Sequence, residues 1–95
     1  MNIEKFIKEK QGTIVDVRTV EEFENGHASG SVNIPLQEID KRLEELKSLP
    51  MPLILCCASG GRSGMATQML IEKGLDCYNA GSWIEVNYYQ SQINK

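Results

Sequence analysis

Two adjacent cysteines, Cys56 and Cys57, stand just upstream of Arg62 in the stretch LILCCASGGRS, residues 53–63. A thiol, a glycine-rich turn and a permanent cation are the parts of a site that attacks or grips an anion. Counted from Cys56, five residues separate thiol and arginine, the spacing of a loop that encircles phosphate. Counted from Cys57, four residues separate them, and the tighter loop suits a smaller group. On spacing alone both readings stay open.

The loop has a physical logic. A turn from strand to helix aims several backbone N–H groups inward, and the helix N-terminus adds partial positive charge. Both favour a thiolate over a thiol, which makes a nucleophile at neutral pH. Gly60 and Gly61 let the backbone curl close to a ligand, Ser59 and Ser63 offer hydroxyls, and Arg62 adds charge at the far end. Cys56 continues the apolar run 53–56 and reads as a core residue, leaving Cys57 as the first loop residue. Cys77 opens a later strand and reads as structural, not as a resolving thiol.

The elements that must hold this loop alternate between strand and helix. Residues 2–10 put Ile3, Phe6 and Ile7 on one helical face, and Gly12 follows as a stop. Residues 14–17, IVDV, form a buried strand. Thr19 and Glu22 make a capping box for a short helix with Phe23 inward. Val32-Asn33-Ile34 is a second strand, closed by Pro35. Ile39, Leu43 and Leu46 mark a helix over residues 37–48. The continuous apolar run 53–56 predicts a strand covered on both faces. Met65, Ala66, Met69 and Leu70 predict the helix after the loop, ending at Gly74. Cys77-Tyr78-Asn79 is the last strand, and Ser82 with Glu85 predicts a second capping box and a final helix. This order implies an α/β fold, a small four- to five-stranded parallel sheet with helices on both faces. Ligands of such sheets bind at the carboxyl ends of the strands, where the Cys57 loop lies.

The totals narrow the functions. Ninety-five residues make one domain, residues 1–95, with a modest core. The net charge of −3 gives nucleic acid no footing, and an anionic substrate needs a local positive site. No apolar run is long enough to span a membrane, and the first residues lack a signal-peptide pattern, so a cytoplasmic protein without membrane attachment is expected. Three cysteines, two of them neighbours, are no disulfide framework, and a single histidine argues against zinc. No metal or organic cofactor is expected.

Three segments resemble the single-domain rhodanese-like sulfurtransferases. VDVRTVEEFENGHASGSVNIP, residues 15–35, is similar to the family's N-terminal signature; CASGGRS, residues 57–63, to its active loop; and NAGSWIEV, residues 79–86, to its C-terminal signature, with Ser82 where a second glycine is common. The resemblance implies a rhodanese-like fold with Cys57 as nucleophile and a six-residue loop ending at Arg62. It also implies a persulfide mechanism, in which the thiolate takes the outer sulfur of thiosulfate or a related persulfide or polysulfide and passes it to cyanide, a small thiol or a protein thiol. Ala58, Ser59, Gly60, Gly61, Arg62 and Ser63 would hold the substrate and stabilise the persulfide with their N–H groups.

Other marked residues take plainer roles. Asp16 and Arg18 read as an ion pair bracing the loop, with Arg18 a possible second anion contact. His27 reads as a structural turn residue and Trp83 as core or pocket wall. The small side chains of the loop predict an open, unselective pocket, and one domain with no obvious apolar patch predicts a monomer or a weak dimer. Two rivals stand beside this reading. One is a cysteine phosphatase or arsenate reductase using Cys56, opposed by Leu55 where such enzymes carry a histidine and by the lack of an evident acid. The other is a non-catalytic rhodanese-like binding module, which commonly lacks the loop cysteine present here.

Overall fold

A computed structural model describes residues 3–93. The expected helix start at Asn2 lies outside them. The first helix, α1, runs over Ile3–Lys8 and buries Ile7. The chain then turns through Lys10 and Gly12, both at positive φ, into β1, Thr13–Asp16. Helix α2, Val20–Glu24, has the expected capping box: the Thr19 hydroxyl accepts from the Glu22 N–H, and the Glu22 carboxylate accepts from the Thr19 N–H. Strand β2 is the short Val32–Asn33.

The helix expected over residues 37–48 is two pieces. A 3-10 turn covers Leu36–Glu38, and α3 covers Leu43–Lys47. The Arg42 N–H is shared between the carbonyls of Glu38 and Ile39, where the two geometries meet. The three-residue step from Leu36 to Ile39 suits the tighter turn, in which such positions eclipse. Ile39 and Leu46 still reach one core, so the stripe survives the break.

Strand β3 is Leu53–Cys57, followed by α4, Gly61–Glu72; β4 is Cys77–Ser82, followed by α5, Trp83–Ser91. The sheet has four parallel strands in the order β2-β1-β3-β4. All five residues of the central β3 are buried. Alternation along it divides the core in two. Leu53, Leu55 and Cys57 face α3 and α4, with Val15, Leu46, Ala66 and Leu70. Ile54 and Cys56 face α1 and α5, with Ile7 and Val86. The helices therefore cover both faces.

Strand β4 runs further than residues 77–79. The register slips between Leu55 and Cys56, so Cys56 pairs with Gly81. Ser82 caps α5 by accepting from the Ile84 N–H. Among the described residues no helix is long and apolar enough to cross a membrane.

Candidate active site

Cys57 is the last residue of β3 and not the first of the loop. Its neighbour Cys56 points through the opposite face of the sheet, as strand geometry requires. The two thiols are therefore in different cores despite adjacent positions. Burial and the Asp16 carboxylate push the Cys56 thiol up to about 12. A phosphate loop built on Cys56 would need that thiol on the other side of the sheet.

The loop curls over the Sγ of Cys57. Gly60 has φ of 105°, the left-handed region, and its N–H donates to Sγ at 3.0 Å. A Cβ on Gly60 would lie 3.3 Å from the Cα of Gly81. Gly61 already belongs to α4 and has open space around it, so it is not sterically required. The Ser63 N–H approaches Sγ at 3.5 Å and its hydroxyl at 3.4 Å. Burial alone would raise the Cys57 pKa. The Ser63 hydroxyl and the N–H groups of Ser63, Gly60 and Ser59 outweigh it and lower it to about 7. Ser59 acts here through its main chain, and Ala58 is exposed. Cys57 itself is only 1% exposed, so the thiol is recessed and not in an open pocket.

Ser63 is held in turn. Its hydroxyl lies 2.7 Å from Oδ1 of Asn79, which also accepts from the Gly81 N–H at 2.9 Å. The Asn79 amide donates to the Gly60 carbonyl at 3.2 Å. Asn79 thus ties the loop, the start of α4 and the bulge of β4 together.

Arg62 lies at the far end of the loop, paired to a carboxylate. Its two terminal nitrogens meet the Oε1 and Oε2 of Glu22 at 2.7 and 3.0 Å. This bidentate bond, then the Thr19 N–H, lowers the Glu22 pKa to about 2. Asp16 and Arg18 form the expected ion pair, fully inside the protein: Nη2 to Oδ2 is 2.8 Å, and Nη2 also donates to the Gly26 carbonyl at 2.7 Å. The Arg18 guanidinium sits 4.8 Å from the Trp83 ring centre, which makes Trp83 the cover of this pair. Arg18 is thereby buried and engaged, and does not serve as a second anion contact. His27 is exposed, stacked on Phe23 with Nδ1 2.7 Å from the Phe23 carbonyl, in keeping with a turn residue. Cys77 is buried, its thiol raised by burial and by Asp76.

The sequence pattern marks neither Glu22 nor Asn79 as a site residue. Glu22 is accounted for by its capping box. Asn79 is a lone amide among strand residues, and that mismatch is the one signal that singles it out.

Residues 2–86 match the rhodanese-like domain. The chain is 38% identical over 71 residues to the uncharacterized protein YqhL of Bacillus subtilis, covering 74% of this chain and 56% of that protein. It is 33% identical over 61 residues to the thiosulfate sulfurtransferase PspE of Escherichia coli, covering 63% of this chain and 59% of that protein. A solved rhodanese with anions from E. coli superposes with a TM-score of 0.69 at 31% identity, covering 77% of this chain and 88% of that one.

Proposed function

Because the chain belongs to the rhodanese-like family, we propose that it transfers sulfane sulfur through a persulfide on Cys57. The observation that carries this reading is the cradle at Sγ: N–H groups and the Ser63 hydroxyl converge on one recessed sulfur and hold its pKa near 7. Such a cradle stabilises a thiolate before reaction and a persulfide anion after it.

The Cys57 thiolate attacks the outer sulfur of a donor. With thiosulfate, the new bond joins Sγ to that sulfur, the old sulfur–sulfonate bond breaks, and sulfite leaves with the electron pair. Cys57 is left as a persulfide anion. A thiol, a protein thiol or cyanide then removes the outer sulfur and restores the thiolate, a two-step covalent cycle. Thiosulfate sulfurtransferases among the relatives support this reaction class. The three free thiols suit the reducing cytoplasm, where we place the reaction, with the chain acting as a monomer.

The test is intact mass after incubation with a sulfane donor. One added sulfur atom on Cys57, removed again by cyanide, is the expected result. No adduct with thiosulfate or with an organic persulfide would overturn the enzyme and favour a binding module.

A further inference from the structure

The cations around the cradle are both committed. Arg62 is held by both oxygens of Glu22, and Arg18 by both oxygens of Asp16. Each arginine is matched by one carboxylate, so these four side chains add no net charge beside the loop. The chain as a whole carries −3. When Cys57 is a thiolate, the site meets its donor with negative charge at the reacting atom and no free guanidinium to offset it.

We infer that Glu22 sets the class of sulfur donor: by holding Arg62 it disfavours dianionic thiosulfate and leaves monoanionic donors, such as a thiol persulfide, as the preferred substrates. This rests on the sulfur-transfer reading above. The step with such a donor balances simply. Sγ of Cys57 bonds to the terminal sulfur, the donor's sulfur–sulfur bond breaks, and the donor leaves as a thiolate while Cys57 becomes a persulfide anion. One negative charge is brought in and one leaves. Thiosulfate brings two, both repelled by the thiolate, and Arg62, neutralised by Glu22, does not offset that repulsion. Glu22 does not touch the reacting sulfur; it acts by fixing and neutralising Arg62.

The substitution Glu22→Gln isolates the charge. Glutamine also serves at this position of a capping box, so the Thr19 contact and the start of α2 are kept. The amide can still face Arg62 but no longer neutralises it. The first readout needs no sulfur transfer. Cys57 is alkylated with anionic iodoacetate and with neutral iodoacetamide, and the ratio of the two rates is compared between variants. In Glu22→Gln the ratio should rise about threefold at low salt, and the rise should shrink as salt is added. The second readout is the rate of Cys57 persulfide formation with thiosulfate and with methanethiosulfonate, which donates the same outer sulfur from a monoanion. The variant should gain about tenfold with thiosulfate and about threefold with methanethiosulfonate, because the charge effect scales with donor charge. Adding Arg62→Gln should erase both gains.

An unchanged alkylation ratio in Glu22→Gln would overturn the inference, as would equal gains for the two donors. A shifted ratio with no sulfur taken from either donor would uphold the charge gate and sink the sulfur-transfer reading, so the two fail separately.

Discussion

The hydroxyl of Ser63, in the first turn of α4, lies 3.4 Å from the Sγ of Cys57 at the end of β3. The same hydroxyl lies 2.7 Å from Asn79, and one hydroxyl has one proton to donate. As a thiol, Cys57 leaves that proton to Asn79. As a thiolate, it draws the proton to itself, and Asn79 keeps the Gly81 N–H. Ser63 therefore responds to the charge on the sulfur.

Ser63→Ala removes the hydroxyl that offsets burial, so the Cys57 pKa should climb from about 7 towards its ordinary value. Reactivity follows the thiolate, so the rate in both proteins rises with pH and levels off above the pKa. In the variant the midpoint should lie at higher pH. A rise of about one unit would cut the thiolate present at pH 7 about fivefold. The pH profile of iodoacetamide labelling at Cys57 measures this, and an unmoved midpoint would remove the Ser63 hydroxyl from the cradle.

Cys57→Ser should abolish the persulfide adduct, with a loss of about a thousandfold or more in transfer rate. Cys56→Ser should keep the rate within about threefold, because its side chain faces the α1–α5 core. Its cost should fall on stability instead, about 1–3 kcal/mol for a hydroxyl buried without a partner. Urea midpoints and adduct masses for the pair separate the two effects. An adduct that persists in Cys57→Ser and vanishes in Cys56→Ser would reverse the assignment.

Much of this arrangement is legible in the chain because it is local. The β-branched run at residues 14–17 and the apolar run at 53–56 mark the central strands, and Thr19 with Glu22 marks the start of α2. What is illegible depends on contacts across the chain. Glu22 and Arg62 are 40 residues apart, and nothing in either one's neighbours announces the other. The recession of Cys57 follows from β3 running one residue further than its apolar pattern, fixed by its pairing with Ser82 across a register slip. The break between the 3-10 turn and α3 leaves the apolar stripe intact, so periodicity alone reads it as one helix.

Asp16→Ala should destabilise the fold without disarming the thiol. It leaves the Arg18 guanidinium buried beneath Trp83 with its main partner gone. Breaking such a buried pair costs about 3–5 kcal/mol. Denaturant unfolding should show that loss, while the labelling rate of Cys57 per folded molecule stays within about twofold. A variant of undiminished stability would show that the pair contributes nothing net.

Adjacent glycines give opposite results if the loop is held as described. Gly60→Ala must place a side chain at φ of 105° and 3.3 Å from the Gly81 backbone. The left-handed conformation costs about 1–2 kcal/mol, and relief of the contact shifts the N–H that donates to Sγ. Stability and thiolate reactivity should therefore fall together. Gly61→Ala meets nothing within 4 Å and sits in the first turn of α4. Alanine there should add about 0.5–1 kcal/mol by restricting the unfolded chain and favouring the helix. Thermal unfolding with labelling at neutral pH tests both. If both variants lose reactivity alike, the loop needs two glycines for a reason other than the turn at Gly60. If neither does, the Gly60 N–H does not hold the sulfur.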